Sequence, residues 1–500
     1  MVNRVYAYAK TMRGKTVSLK VDHGGEAARR TACRCLIAAD VDKTVVEQGS
    51  PLERSEFLTL VAPKLVVAAQ NGVNLAFLTG NSMKELSERF LKWLIQQLCL
   101  TGHLTLLDKF HFFCNSGGVY AHFPADEIAA LSINGKSDPD SVYSSLTFEG
   151  PDGRAIRPQF IDAAYIERCR IRDGELGEVT NILAEVASRY YRDICSTRES
   201  KEKIYDLSYV QDKKSGELIH PGTQIRPVQY GSADNPKTAV VQVTLKPVLS
   251  FRHARGDQKP GLVNRDVRVL LTKSIQKELD RRGFDHFIAR PGGMSSIDVT
   301  LDKLDKAFAL QFIIDRLNVQ GSSRLGEKFG ANTIYFGDEV IVGGGNDYPV
   351  TKIPGLLVFA VNPDRHLVPF LSRVFVPSTI MGGPNATADV LEELNRCTKE
   401  LRLQFSPDRP TRTAVEELKV RLFSRRIRQK IDQLGPSGRH SVRDWQALHA
   451  LVTLMCRDDE ASKEWLSILV EELDGIMTHL ATQKTSPQRA IGSSHPDQGS

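Results

Sequence analysis

Residues 35–44 read CLIAADVDKT, and this stretch decides the fold class. A short apolar run that ends in charged residues is typical of a strand buried on both faces of a parallel sheet. Asp40 and Asp42 follow this run two positions apart, so on extended backbone their side chains project to the same side. Because open α/β sheets bind ligands beyond the carboxyl ends of their strands, we expect both carboxylates to face a ligand.

Strand-like and helix-like patterns alternate on both sides of a long central segment. Before that segment the sequence predicts helices and buried strands at 55–71, 73–79, 82–99 and 110–115. After it, strands are predicted at 333–338, 356–361 and 373–377, with a last helix at 386–396. Such alternation predicts an α/β fold built on a doubly wound parallel sheet.

The central segment is rich in Gly, Pro and Asp and has a different pattern. It contains predicted helices near 174–194 and 265–282 and a strand at 238–246, as expected for an inserted α+β domain. The predicted domains are an N-terminal hairpin extension at 1–30, a core at 31–121 and 286–398, an inserted domain at 122–285, a helical domain at 399–482 and a disordered tail at 483–500. The helical domain carries apolar stripes that must be buried, either within the chain, by self-association or against a protein partner.

Composition limits the possible functions. The chain has 500 residues, of which 41% are hydrophobic and 25% charged, so it can bury a large core. Its net charge of +6 is small and spread out, which makes a nucleic-acid partner unlikely and suits a pocket for an anionic metabolite equally well. No stretch is long and apolar enough to span a bilayer, and the N-terminus lacks an apolar signal core. We therefore expect a cytoplasmic protein without membrane association.

The eight cysteines are scattered along the chain. Cys33 and Cys35 form a single C-x-C without a second pair, which is not the spacing of a zinc site. Reduced cysteines are the expectation for a cytoplasmic protein.

Polar residues also mark the ends of other predicted elements. Thr79 ends the second buried strand, where its hydroxyl can donate to a phosphate. Lys306 begins a predicted helix and can neutralise negative charge as a point cation. Asp338 ends the strand TIYFGD and Asn346-Asp347 follow shortly after. Mg²⁺ favours a few carboxylates together with water and phosphate oxygens, so these residues are candidate ligands.

The ordered set D-x-D-x-T, strand-end Thr, Lys and G-D…N-D resembles the haloacid dehalogenase (HAD) superfamily. The resemblance covers about residues 31–398 and implies a doubly wound HAD Rossmann-like core with an inserted C2-type cap. The helices at 399–482 lie outside it as a C-terminal helical extension. It also implies phosphoryl transfer through an aspartyl-phosphate, with Mg²⁺ as the cofactor.

A second resemblance is narrower. Residues 292–299 read GGMSSIDV and are followed by Asp305-Lys306, which looks like the G-G-x-x-S-F-D-V…D-K segment of eukaryotic-type phosphomannomutases. In that family the serine and aspartate contact the sugar phosphate, which implies this role for Ser296 and Asp298. A strand hydroxyl with only a local hydrogen bond is an equally good interpretation of Ser296.

The sequence departs from that branch at several positions. Lys43 replaces the usual glycine after the second aspartate, and Lys303-Leu304 replace Gly-Trp before Asp305. The cap arginines that grip the distal phosphate in mutases have no clear counterparts. The candidate cations for this role are Arg226, Lys237, Lys246 and Arg252.

Each site residue therefore has an expected role. The expected catalytic residues are Asp40 as nucleophile, Asp42 as acid and base, Thr79 and Lys306. The expected substrate-binding residues are Thr44, Gly80, Ser296 and Asp298, and the expected metal ligands are Asp40, Asp42 through its backbone carbonyl, Asp338, Asn346 and Asp347.

Three functions are compatible with this set of residues. The favoured one is a Mg²⁺-dependent phosphohydrolase acting on a sugar phosphate or a similar small phosphorylated metabolite. The alternative is a phosphosugar mutase, which would use the same core residues with a cap that excludes water. A third possibility, from another class, is an interaction protein in which the core is a scaffold for the C-terminal helices.

Overall fold

The computed structural model describes fifteen segments and two further residues. They are residues 35–47, 52–131, 138–150, 153–196, 210–211, 218–219, 224–232, 235–244, 262–291, 296–320, 332–340, 345–353, 356–361, 374–375 and 382–404, with Val415 and Leu418. The chain divides into two compact units, and every helix and strand named below lies in the unit spanning His23–Val415. The N-terminal hairpin, most of the predicted C-terminal helical domain and the predicted tail lie outside the described residues.

A seven-stranded sheet forms the core, in the order β15-β14-β13-β1-β2-β3-β4. Its strands are β1 (Leu36–Ala39), β2 (Asn74–Leu78), β3 (Phe110–Cys114), β4 (Val119–His122), β13 (Thr333–Gly337), β14 (Leu357–Ala360) and β15 (Val374–Phe375). All neighbours pair in parallel except β3 and β4. The chain runs from β1 to one side of the sheet and later returns through β13 to the other. This doubly wound α/β core confirms the predicted fold class.

Three helices lie between strands of this sheet in the sequence, and a fourth follows β15. They are α1 at 53–70 (Glu53–Glu56, a π-helical turn Phe57–Val61, and Ala62–Gln70), α2 at 83–100 (Met83–Glu85, a π-helical turn Leu86–Leu91, and Lys92–Leu100), α8 (Lys306–Gln320) and α9 (Gly383–Gln404). Aromatic side chains join α1 and α2 to the sheet, since the Phe90 ring lies 5.2 Å from that of Phe57 and 4.5 Å from that of Phe77. This packing fixes the helices that border the carboxyl ends of β1 and β2.

A second sheet lies in the inserted region. Its four antiparallel strands have the order β11-β12-β10-β9, with bounds Phe287–Pro291, Ser296–Leu301, Asn235–Thr244 and Gln224–Ser232. Helices α6 (Asp173–Ser196) and α7 (Leu262–Arg281) cover it. Their apolar residues form one buried cluster with the strands, including Val179, Leu183, Leu271, Ile275, Val241, Val243, Ile297 and Val299. This is an α+β domain with its own core.

The remaining elements between β4 and α6 are short. They are α3 (Ala125–Ala129), α4 (Pro139–Leu146), β5 (Thr147–Gly150), β6 (Gly153–Ile156) and α5 (Ala163–Cys169), and a two-residue pair follows α6 as β7 (Val210–Gln211) and β8 (Leu218–Ile219). Residues 139–156 pack against α2, and the Arg154 backbone N–H donates to Glu88 of that helix over 3.2 Å. They therefore belong with the core rather than with the four-stranded sheet.

The inserted domain was predicted at 122–285, and the contacts of the elements near both of these boundaries differ from that prediction. The second core segment was expected from residue 286, yet β11 and β12 pair with β10 in the inserted sheet. The alternation of apolar residues that indicates a strand does not identify its pairing partner, which explains the error. We propose that the inserted domain runs from Ile171, whose backbone N–H donates to Thr238 of β10, to Leu301 at the end of β12.

Two expectations from the sequence concern disulfide bonds and membrane-spanning helices. Within the described residues, the cysteines at 35, 99, 114, 169 and 397 form no disulfide bond. None of the helices in the described ranges is long and apolar enough to cross a membrane.

Candidate active site

The site lies where the core sheet changes direction. Strand β1 is the switch, because β2 lies on one side of it and β13 on the other. Asp40 follows β1, and its backbone N–H donates to the carbonyl of Phe336 on β13 over 2.9 Å. Asp338 follows β13 directly. Parallel neighbours end at the same edge, so both carboxylates reach the crevice where such sheets bind ligands.

Lys306 is surrounded by acceptors at this edge. Its Nζ atom lies 2.9 Å from Oδ2 of Asp40, 2.7 Å from Oδ1 of Asp347 and 3.3 Å from Oδ1 of Asn346. Lys306, Asp40 and Asp347 are all buried. Because Lys306 is the first residue of α8, the cation has a fixed position at the edge of the sheet.

Besides its ion pair with Lys306, Asp347 is held in place by two hydrogen bonds. Its Oδ1 accepts the hydroxyl hydrogen of Tyr335 over 2.5 Å, and its Oδ2 accepts the backbone N–H of Glu339 over 2.9 Å. A Cβ atom at Gly337 would lie 2.6 Å from that Oδ2, so the last position of β13 has room only for glycine. The glycine of the G-D…N-D motif is therefore required because the aspartate of the N-D pair packs against it.

Three buried carboxylates lie close together, and two of them, Asp40 and Asp347, form ion pairs with Lys306. Ligand oxygens of Asp40, Asp338 and Asp347 all lie within 4.8 Å of one another. One ammonium group cannot neutralise three carboxylates, so this donor set fits a hard divalent cation such as Mg²⁺. The side chain of Asn346 points at Lys306, and that of Asp42 has other partners, as described next.

Asp42 is bound by residues that the sequence analysis did not identify. Its Oδ2 accepts a hydrogen bond from the Asn81 side-chain amide over 2.6 Å, and its Oδ1 lies 3.7 Å from the Arg89 guanidinium. Arg89 also forms an ion pair with Glu53 at the start of α1. Asn81 stands two positions after Thr79, at a predicted strand end, which was the one sequence signal available for it.

Protonation of the site follows from its burial and its crowding. Burial, opposed by Lys306 and reinforced by Asp347 and Asp42, raises the pKa of Asp40 to about 7. Burial lowers the pKa of Lys306, but the carboxylates of Asp347 and Asp40 outweigh it and leave that pKa above its usual value. Burial likewise raises the pKa of Asp42, against the effect of Arg89. The lysine is therefore charged, and negative charge is in excess around it.

Thr79 and Gly80 follow β2, the parallel neighbour of β1. Thr79 is buried, and its hydroxyl accepts the backbone N–H of Asn81 over 3.0 Å. Thr44 is also buried, but its hydroxyl makes no hydrogen bond to any described residue, and its carbonyl accepts from Thr387 of α9 over 2.7 Å. Lys43, where the resemblance leads one to expect glycine, has a positive φ of 56°. Backbone in this left-handed region favours glycine, so the lysine at position 43 is in a strained conformation.

Ser296 and Asp298 lie on β12 of the inserted sheet. Asp298 accepts hydrogen bonds from Ser116 over 2.8 Å and from Gln242 over 3.2 Å. Ser116 follows β3, and its backbone N–H donates to the carbonyl of Thr79 over 3.1 Å. Asp298 thus reaches the core next to the Thr79–Gly80 turn, whereas no described contact joins Ser296 to the core.

Among the candidate cap cations, Lys237 forms an ion pair with Glu167 of α5. Lys246 and Arg252 lie outside the described residues, as does the side chain of Arg226. Lys237 is therefore the candidate whose side chain is described, and its charge is already paired with a carboxylate.

Comparisons with known proteins give similarity of fold at low sequence identity. No family model matches the chain, and no curated protein matches it. One similar solved structure is an N-terminally truncated, IMP-bound IMP-nucleotidase from Plasmodium falciparum, at 12% identity over 78% of this chain and 78% of that one, with a TM-score of 0.41.

Two further structures are similar to a comparable extent. They are the sucrose-phosphatase of Synechocystis sp. PCC6803 and the Thermoplasma acidophilum protein 0175, each at 14% identity over 72% of this chain and 96% of that one, with a TM-score of 0.33. Identities and TM-scores this low amount to a structural likeness alone.

Proposed function

We propose that this protein is a HAD-type, Mg²⁺-dependent phosphohydrolase that forms an aspartyl-phosphate on Asp40. One observation carries the proposal. The Asp40 carboxylate is buried at the switch of the sheet, with the Lys306 ammonium 2.9 Å away and two further carboxylates close by. A buried nucleophilic carboxylate beside a fixed cation, in a pocket with excess negative charge, suits attack on a phosphate in the presence of a divalent metal.

In the first half-reaction an Asp40 carboxylate oxygen attacks phosphorus. The bond from phosphorus to the bridging oxygen breaks with its electron pair on oxygen, and Asp42 supplies the proton that makes the leaving alcohol. Lys306 lies within reach of Asp40 and offsets the charge of the transferred phosphoryl group. In the second half-reaction Asp42 takes a proton from water, whose oxygen attacks the phosphorus of the aspartyl-phosphate and releases inorganic phosphate and free Asp40.

Asp40, Asp338 and the backbone carbonyl of Asp42 are the proposed ligands of Mg²⁺, with Asp347 and Asn346 orienting the ligand shell through Lys306 and the neighbouring backbone. When bound, the metal would offset the repulsion between the nucleophile and the phosphate and hold the two in line. The excess of buried carboxylates over cations supports this assignment.

We propose a small phosphorylated metabolite, such as a sugar phosphate, as the substrate. The resemblance of residues 292–299 to phosphomannomutases supports this class, and so does the position of Asp298 next to the Thr79–Gly80 turn. Lys237, one of the four candidate cap cations, is paired with Glu167 and so is not available to grip the second phosphate that a mutase would bind.

The test is a panel of phosphorylated metabolites assayed for released phosphate with Mg²⁺ present. The panel should include hexose phosphates, nucleoside monophosphates and an aryl phosphate. Phosphate release that requires both Mg²⁺ and Asp40 supports the proposal. Conversion between hexose 1- and 6-phosphates without phosphate release, dependent on a bisphosphorylated primer, would replace it with the mutase. If the folded protein processes none of these substrates in either way, the proposal is wrong.

A further inference from the structure

Asn81 joins the proposed phosphate-binding turn to the proposed acid. Its side-chain amide donates to Oδ2 of Asp42 over 2.6 Å. Its backbone N–H donates to the Thr79 hydroxyl over 3.0 Å, and its carbonyl accepts the backbone N–H of Asn115 over 2.8 Å. The residue is thus anchored to the ends of β2 and β3 while its side chain reaches across to the loop after β1.

The two oxygens of the Asp42 carboxyl have different surroundings. Oδ2 accepts the hydrogen bond from Asn81, whereas Oδ1 is buried and accepts no hydrogen bond within the described part of the chain. The nearest cation to Oδ1 is Arg89 at 3.7 Å, which is beyond hydrogen-bond distance. Arg89 is moreover engaged with Glu53, so its charge is shared.

This asymmetry decides where a transferable proton can reside. An amide N–H only donates, so Oδ2 must present a lone pair to Asn81 in either charge state of Asp42. The proton of the neutral acid then belongs on Oδ1, which accepts no hydrogen bond from the described residues. We infer that Asn81 is a positioning residue for general acid catalysis, which holds the Asp42 carboxyl so that Oδ1 faces the leaving group.

The inference rests on the proposed function and deepens it. When the bond between phosphorus and the bridging oxygen breaks, the Oδ1–H bond of Asp42 breaks too, and its proton goes to that oxygen. The new negative charge on the carboxyl is stabilised by the hydrogen bond that Asn81 already makes to Oδ2. Because Asn81 also holds Thr79, the acid and the phosphate-binding hydroxyl keep a constant separation.

The test compares two leaving groups, using kcat/KM because it reports the steps up to transfer of the phosphoryl group to Asp40. An alkyl phosphate needs a proton on its leaving oxygen, whereas 2,4-dinitrophenyl phosphate does not. Asn81→Ala should lower kcat/KM about 10- to 100-fold for the alkyl ester and less than about 3-fold for the dinitrophenyl ester. Asn81→Leu, which keeps the side-chain volume but removes the donor, should show the same selectivity. The matched control is Asn395→Ala, at a partly buried asparagine that donates to Lys64 on α1 and should leave both values unchanged.

Asp42→Asn separates the inference from the proposed function. If Asp42→Asn slows the alkyl ester selectively but the folded Asn81 variants slow both esters equally or neither, Asn81 does not position the acid and the inference is overturned. If Asp42→Asn itself shows no selectivity, the acid role of Asp42 fails and the proposed mechanism fails with it. Thermal unfolding of each variant establishes that it is folded before its kinetics are compared.

Discussion

The Nζ atom of Lys306 lies 2.9 Å from Oδ2 of Asp40, and both side chains are almost completely buried. The same ammonium group lies 2.7 Å from Oδ1 of Asp347, so two buried carboxylates share one cation. Taking three charges out of water is costly, and their mutual attraction must offset that cost. An arrangement of this kind suits a site whose geometry serves chemistry rather than stability, and it makes the cluster sensitive to single substitutions.

Asp40→Asn tests the nucleophile. The substitution keeps the shape of the side chain but removes the charge that attacks phosphorus, so turnover should fall at least ~10³-fold while the protein stays folded. Phosphate release from the best substrate of the panel measures this. Asp315→Asn, at an exposed position of α8, is the control and should retain full turnover. Activity of Asp40→Asn near that of the wild type would disprove the assignment.

Lys306→Met tests the shared cation. Removing it leaves Asp40 and Asp347 as uncompensated buried charges, so the free energy of unfolding should fall by roughly 3–5 kcal/mol without added metal. Urea denaturation measures this, and phosphate release should be largely lost as well. Lys303→Met, three residues earlier at an exposed position, should change neither quantity appreciably. Equal stability of the two variants would mean that Lys306 does not balance the cluster.

Metal removal tests the carboxylate cluster independently of turnover. Mg²⁺ should raise the melting temperature of the chelator-treated protein, because a ligand that binds only the native state adds RT ln(1 + [L]/Kd) to its stability. Asp338→Asn should weaken this effect, since it removes one of the three clustered carboxylates. Asp302→Asn, at an exposed carboxylate outside the cluster, is the control. Identical Mg²⁺ titrations for both variants would exclude Asp338 as a ligand.

Gly337→Ala tests the steric requirement at the end of β13. The added Cβ would lie 2.6 Å from Oδ2 and 2.7 Å from Cγ of Asp347, so that carboxylate must move and Lys306 with it. A displacement of about 1 Å at a catalytic group costs on the order of 10²-fold in rate, which is the loss we expect in kcat/KM. Gly177→Ala on α6, where an added Cβ meets nothing within 4 Å, should be neutral. An active Gly337→Ala enzyme would show that Asp347 can shift without consequence.

The buried histidine His111 lies outside the proposed site, and it should make the stability of the protein depend on pH. Burial, together with the neighbouring His122, holds the pKa of His111 well below its ordinary value. Between that low pKa and the unfolded value near ~6.5, the unfolded chain binds a proton that the native protein does not. Stability should therefore be full above about pH 6.5 and fall as the pH drops through this range.

The measurement is urea denaturation of wild type and His111→Phe at pH 7.5 and pH 5. The variant should lose less stability than the wild type on acidification, because one of the groups that resists protonation is gone. His103→Phe, at a partly exposed histidine, should follow the wild type. An unchanged pH dependence in His111→Phe would mean that this buried ring does not contribute.

Local patterns were sufficient to predict the core of this fold. The run at 35–41 has the unbroken apolarity that burial on both faces demands, and it forms the central strand β1. Asp40, Thr79 and Asp338 were predicted at strand ends and lie there, since the end of an apolar run is a local property of the chain. Most helix and strand bounds agree within a few residues for the same reason, whereas the last helix, predicted at 386–396, extends over Gly383–Gln404.

Pairing and long-range contacts could not be predicted in the same way. β11 and β12 were expected in the core but belong to the inserted sheet, because apolar alternation does not determine which strand lies beside which. The bond from Asn81 to Asp42 and the contact of Ser116 with Asp298 join residues far apart in the chain. Sequence alone determined which chemical groups stand at the strand ends. Tertiary structure decided which of them share a charge or a proton, because those interactions depend on distances of a few ångströms that only the folded chain sets.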